Sequence, residues 1–322
     1  MSATADHVKA LVRSHGSGDH QAFYSVALQV AAKAARQGHH RFATDLKSLV
    51  DEGKAESRQG TVTALAQPRG ELADLVVARY ADDQLHDLIA PRDLIAALRH
   101  VIAEQRQRHS LMDRGFNPVH RLLLEGPPGT GKTMTAAVLA HELDLALLTI
   151  RLDALLSKYL GETASKLRTI FEAVDSQRAV YLFDEFDALG GDRAGNDVGE
   201  ARRILNSFLL FIENLGPESI VIAATNHRSI LDRALFRRFD LVLTYALPTV
   251  DESLAVLKGR LGTLGQRVGW KTVAKHTDGL SHAELVKVAE TAAKRTLLAG
   301  DERVATATLV EALKVRRGTA GG

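Results

Sequence analysis

The chain has 322 residues, 45% of them hydrophobic and 25% charged, with a formal net charge of +2. That length allows about two domains with a sizeable core, and the near-balanced charge gives no general reason to expect nucleic acid as the main partner. With no cysteine, disulfides, cysteine nucleophiles and thiolate metal sites are excluded, while the lack of any apolar run near ~20 residues and the polar start MSATADHVKALVRSHG lead us to expect a cytoplasmic protein with no membrane partner.

Residues 1–55 are expected to form an N-terminal three-helix bundle that binds substrate or partner. A short stripe of Val8, Leu11 and Val12 comes first. Asp19 suits the N-cap and Gly38 the C-cap of a second helix, on which Phe23, Val26, Ala27, Val30, Ala31 and Ala34 share one face. Phe42, Leu46, Leu49 and Val50 make the third stripe. His39 and His40 have no acidic or cysteine cluster beside them and are read as helix-start residues rather than metal ligands. The pattern then fades into polar residues broken by glycine and proline, and 56–84 is read as linker. Leu94, Leu98, Val101 and Ile102 restart helical spacing, with Pro91 suited to the first turn.

Over 85–246 the runs RLLLEG, ALLTIRL, AVYLFDE, SIVIAATN and DLVLTYA alternate with helical segments. Short continuous apolar runs between helices predict an α/β fold, a parallel five-stranded sheet with helices on both faces. From 247 to 317 the reading is a C-terminal helical lid. There Ser281 and Glu284 form a candidate capping box, and Leu285, Val288, Ala289 and Ala292 an apolar face. The glycine-ended tail, 318–322, is expected to be disordered.

Chemistry concentrates after the strands. GPPGTGKT, residues 126–133, stands between a strand and a helix, the setting a P-loop requires. Its glycines let backbone amides turn inward, and the helix N-terminus adds positive potential. Lys132 is placed to reach the β- and γ-phosphates and Thr133 to ligate Mg²⁺. The strand Val180–Phe183 ends in adjacent acids, Asp184 for the magnesium shell and Glu185 to activate water as a general base. Asn226 ends a later strand, where an amide can orient water without competing as a base. Arg237 and Arg238 have no obvious local acid, and an arginine near a nucleotide can stabilise phosphate charge in a neighbouring subunit.

GPPGTGKT, YLFDEFDAL, AATN, LDRALFRRFD and GLSHAEL, in this order, make residues 85–317 resemble the AAA clade of the AAA+ ATPases. The resemblance implies an ATP- and Mg²⁺-dependent P-loop fold acting as a homo-oligomer, usually a hexameric ring, on a polypeptide. It implies that Pro128, Gly129, Thr130, Gly131, Lys132, Thr133 and Met134 hold the nucleotide, with Leu88, Ile89, Gly279 and Ala283 near the adenine. Asn226 becomes sensor 1, and Arg237 and Arg238 trans-acting fingers. These two are adjacent here, where the family commonly separates them with Pro-Gly; which one reaches the γ-phosphate is left open, with Arg237 favoured. His282 stands where the family commonly has glycine and His227 where arginine often follows the sensor; both are read as structural. Tyr159, Leu160 and Gly161 fall at the first pore loop, the aromatic tip that grips substrate. The N-terminus also resembles that of bacterial AAA ATPases paired with a subtilisin-like serine protease and associated with plasmid stability and phage defence. The expected function is therefore ATP-driven remodelling, unfolding or threading of protein. The alternative is a nucleotide-switched assembly or DNA-handling factor, drawing on Arg106, Arg108, Arg202 and Arg203, which are otherwise read as solvated helix faces or inter-subunit contacts.

Overall fold

The structure is a computed structural model and describes residues 20–36, 41–48, 50, 70–155, 162–189, 198–227 and 233–320. The chain divides into two compact units, Met1–Leu65 and Ala66–Gly322.

In the first unit a helix spans His20–Arg36, and Ala27, Ala31 and Ala34 are buried on it, as the stripe predicted. Residues 41–48 are also helical. Phe42, expected on the apolar face, is 54% exposed, whereas Ala43 and Val50 are buried. Val50 is buried and Leu46 half-buried as that stripe expected, so the departure is at Phe42, where Ala43 is buried instead. The Val8, Leu11 and Val12 stripe lies outside the described residues.

The second unit is built on a six-stranded sheet in the order β1-β3-β4-β5-β2-β6. The strands are β1 Val76–Arg79, β2 Arg121–Glu125, β3 Leu147–Ile150, β4 Val180–Phe183, β5 Ile220–Thr225 and β6 Leu241–Thr244. All five expected strands form and pair in parallel. The expectation of five is corrected to six, because β1 adds an antiparallel edge against β3, pairing Val76 with Ile150 and Arg79 with Leu147. Glu71–Arg79, inside the stretch read as linker, therefore belongs to the sheet body; only Leu75 and Val76 among these residues are deeply buried. An edge strand with one half-covered face carries too weak an apolar run to stand out.

Period-two alternation sorts the strand residues onto two cores. Val180 and Leu182 of β4 and Ile220, Ile222 and Ala224 of β5 pack with the helices Arg92–Arg106 and Lys132–Glu142. Tyr181, Phe183, Val221 and Ala223 face the helices Glu162–Ser176 and Val198–Glu213. On that side Phe183 meets Phe208 edge-on at 5.1 Å, and Phe186 lies 4.6 Å from the same ring. The turn between Phe183 and Phe186 carries Asp184 and Glu185, so both ends of the acidic turn are anchored in the core.

The lid has its own core of Val256, Leu257, Leu285, Val288, Leu309 and Leu313. Ser281 and Glu284 form the capping box at the start of the helix His282–Leu298, and Thr249 with Glu252 forms a second one. The last helix runs from Thr306 to Ala320 and so takes in part of the expected tail. Among the described residues no helix is long and apolar enough to cross a membrane.

Candidate active site

Strand order explains why these residues meet. β2 lies beside β5 and β5 beside β4, so three carboxyl-terminal strand ends sit side by side, where open α/β sheets bind ligands. Glu125 pairs with Thr225, which sets the P-loop and Asn226 next to each other. Phe183 pairs with Ala223, which brings Asp184 and Glu185 to the same edge.

The P-loop holds its shape through backbone that only glycine tolerates well. Gly126, Gly129 and Gly131 have φ of 144°, 74° and 104°. A Cβ on Gly126 would meet the Tyr245 carbonyl oxygen at 2.2 Å, and one on Gly129 would lie 2.8 Å from Ser281 Oγ. The Ala283 N–H donates to the Gly129 carbonyl at 3.0 Å, so the lid docks directly on the loop. Behind the loop, Thr135 Oγ1 and the Tyr245 hydroxyl are 2.6 Å apart and buried.

Lys132 is buried, and its ammonium donates to the carbonyls of Gly126 at 2.7 Å and Pro127 at 2.8 Å. Burial lowers its pKa, while the charges of Asp184 and Asp187 act in the opposite sense. The ammonium therefore has fixed, weakly screened partners at the mouth of the loop. Thr133 Oγ1 donates to Asp184 Oδ2 at 2.6 Å. Two oxygen donors in contact, one of them a carboxylate, suit Mg²⁺, a hard cation that binds through one or two protein oxygens plus substrate phosphate. The chain thus fits ATP and its magnesium.

Glu185 is exposed and has φ of 51°. Left-handed backbone on a non-glycine residue costs on the order of 1–3 kcal/mol and persists where its surroundings impose it. Here the Glu185 N–H donates to Asp184 Oδ1 at 3.0 Å, its carbonyl accepts from the Ala188 N–H at 2.8 Å, and Phe183 and Phe186 are fully buried on either side.

Sequence reading passed over Asp187. Its Oδ1 accepts from Thr225 Oγ1 at 3.0 Å and from the Asn226 N–H at 3.1 Å. Thr225 Oγ1 in turn accepts from the His227 N–H at 3.0 Å. One carboxylate on the acidic turn therefore holds the end of β5. The available signal was an acid two residues beyond Glu185 in the run AVYLFDEFDAL.

A cavity of about 420 Å³ opens beside the loop, within the range of small-molecule sites. Leu88 and Ile89 line it, with Thr130, Gly131 and Met134 below. Val256, Gly259 and Arg260 close the lid side, and none of these three was foreseen. His282 also lines it. Pro128, Gly129, Lys132 and Thr133 sit at the loop outside this cavity; Gly279 and Ala283 do not line it, though Ala283 holds the loop.

Arg237 and Arg238 follow the short helix Arg233–Phe236. Arg238 Nε donates to Glu213 at 3.3 Å, whereas the Arg237 residue is exposed. Asp240 secures this turn: its carboxylate accepts from the Arg121 guanidinium at 2.5 and 3.0 Å and from the His120 and Arg121 N–H groups at 3.1 and 3.0 Å. Tyr159, Leu160 and Gly161 lie outside the described residues.

A family model described as "ATPase family associated with various cellular activities (AAA)" matches residues 122–247. The chain is 32% identical over 301 residues to an uncharacterized AAA family ATPase, y4kL, of Sinorhizobium fredii, covering 92% of this chain and 90% of that one. It is 30% identical over 271 residues to the proteasome-activating nucleotidase of Pyrococcus furiosus, covering 77% and 68%. Among solved structures, the FIGL-1 AAA domain superposes with a TM-score of 0.61 at 25% identity, over 75% of this chain and 85% of that one. Loop, acidic turn and lid occur together in one unit that aligns along most of its length with these proteins, and the chain belongs to the AAA family of ATPases: it binds ATP and hydrolyses it.

Proposed function

We propose that this ATPase is a protein-remodelling motor working as a homo-oligomeric ring, hexameric as the resemblance implies, that unfolds or threads a polypeptide gripped by Tyr159, Leu160 and Gly161. The observation that carries the chemical part is the meeting of Thr133 with Asp184 at 2.6 Å, one strand away from Asn226. Lys132 holds the phosphates from the loop. Glu185 takes a proton from the attacking water as its oxygen bonds to the γ-phosphorus and the bond to the bridging oxygen breaks. Asn226 aligns that water. Thr133 and Asp184 would hold magnesium, which when bound would supply neutralisation of phosphate charge.

Arg237 is the residue we assign as the finger reaching a neighbouring subunit, since it is exposed while Arg238 is drawn to Glu213. The name of the proteasome-activating nucleotidase connects a related ATPase with proteolysis. It supports, at the level of class, a protease as downstream partner; the subtilisin-like serine protease and the role in phage defence rest on the N-terminal resemblance. The DNA-handling reading loses two of its cations. Arg106 donates to the Glu142 carbonyl at 2.6 Å and its carboxylate at 3.1 Å, and Arg108 is paired with Glu218.

Glu185→Gln tests the proposal. The variant should bind ATP within a few-fold of wild type, turn it over at least ~100-fold more slowly, assemble in ATP and retain polypeptide on affinity capture. Near-normal turnover would remove the base from Glu185, and a monomer by sedimentation at saturating ATP would remove the ring.

A further inference from the structure

Tyr245 follows the last residue of β6, Thr244, and acts on both ends of the glycine-rich loop. At the entrance its N–H donates to the Glu125 carbonyl at 2.7 Å, and its backbone fills the space a Cβ on Gly126 would need. At the exit it works through a second residue. Its hydroxyl lies 2.6 Å from Thr135 Oγ1, and Thr135 Oγ1 donates to the Gly131 carbonyl at 3.1 Å. A threonine hydroxyl has one proton. With that proton on Gly131, the bond between the two hydroxyls is donated by Tyr245. Burial pushes the Tyr245 hydroxyl up to about 12, against the Thr135 hydrogen bond, so it keeps its proton at neutral pH. Both side chains are buried, Tyr245 in the core with Leu124, Ala136 and Leu243, where a polar pair is costly unless its bonds are completed.

The Gly131 carbonyl also accepts from the Thr135 N–H at 2.9 Å, so two donors fix its direction. That carbonyl and the Lys132 N–H share one trans peptide plane and point opposite ways. Holding the carbonyl toward Thr135 therefore aims the Lys132 N–H out of the helix N-terminus and into the loop, where backbone donors receive phosphate. We propose that Tyr245 is a positioning residue for the phosphates: through Thr135 it fixes the Gly131–Lys132 peptide so that its N–H meets the β-phosphate. A tyrosine that only filled the core would have no need of its hydroxyl, and phenylalanine would serve in the same space. The inference rests on the loop being the phosphate end of the ATP site, and the experiment separates the two.

The test is equilibrium binding of ADP and AMP, which differ by the β-phosphate alone, to the full chain and its variants. Tyr245→Phe deletes only the hydroxyl and should lose about fivefold in ADP affinity, the effect of one hydrogen bond, while AMP affinity stays within twofold. Thr135→Val, similar in shape but without the hydroxyl, should lose at least as much of the preference for ADP. Thr135→Ser keeps the hydroxyl and should hold the preference within twofold of wild type. The double variant Tyr245→Phe/Thr135→Val should lose no more than Thr135→Val alone, because both hydroxyls act through one carbonyl; additive losses overturn the inference. An unchanged preference in Tyr245→Phe also overturns it, even with a lowered melting temperature, since packing alone accounts for that result. A wild type that binds ADP no more tightly than AMP overturns the phosphate reading of the loop itself. If Tyr245→Phe is misfolded by circular dichroism, the Thr135 variants decide: a preference retained in Ser and lost in Val supports the relay, and equal preferences refute it.

Discussion

Asp187→Ala removes one carboxylate oxygen from two donors, the Thr225 hydroxyl at 3.0 Å and the Asn226 N–H at 3.1 Å. Thr225 is fully buried, so its hydroxyl has no access to replacement water. Hydrogen bonds to a charged acceptor contribute roughly 1.5–3 kcal/mol each. Asp187 is itself half-exposed, so the lower end applies and the pair together contributes about 3 kcal/mol. For a domain of this size that lowers Tm by roughly 6–12 °C, at ~2–4 °C per kcal/mol. The kinetic effect should be larger than the thermal one suggests, because Asn226 loses the contact that sets its position relative to Glu185. With Asn226 in the water-aligning role proposed above, misplacement by about 1 Å costs up to ~10²-fold, so kcat should fall by roughly 10- to 100-fold. Nucleotide affinity should change little, since the loop contacts of Lys132 and Thr133 remain. Asp187→Asn keeps one acceptor oxygen and should fall between. Steady-state ATP turnover, ADP binding and a thermal melt on the same preparations check all of this. A lowered Tm with kcat within twofold of wild type would show that Asp187 braces the fold and does not position Asn226.

Two other outcomes are expected. Tyr159→Ala should abolish processing of a polypeptide substrate and spare most of the ATPase activity; unchanged unfolding by a fluorescence assay would exclude threading by this loop. At Asp240 burial acts to raise the carboxyl pKa, but the Arg121 guanidinium, the N–H groups of His120 and Arg121 and the adjacent His120 ring together hold it below the usual carboxylate value. A depressed folded-state pKa stabilises fully above the unfolded value of about 4 and loses that contribution as pH falls through the folded value. Wild type should therefore exceed Asp240→Asn in stability near neutral pH and by a shrinking margin below about pH 4. A margin independent of pH in denaturant titrations would refute the assignment.

Most of the cluster formed by the glycine-rich loop and the acidic turn was legible in the chain. Its signals are local: three glycines within six residues, a lysine and threonine opening a helix, and two acids closing an apolar strand. Each depends on backbone within one turn, and sequence neighbours set that backbone. The five central strands were legible for a similar reason, since burial on both faces leaves unbroken apolar runs. β1 was not, because an edge strand with one core residue, Val76, has no such run.

The amino-acid sequence by itself determined which groups could hold phosphate, bind magnesium and activate water, because those capacities belong to residue types in fixed local frames. The tertiary structure alone decided which groups face one another. Asp187 binds Thr225 and Asn226 only because β4 and β5 are neighbours. Ala283 meets the P-loop, and His282 the cavity beside it, only because the lid docks on Gly129, more than a hundred residues earlier in the chain. No spacing rule relates residues so far apart, since their separation is set by how the sheet orders its strands and where the lid closes.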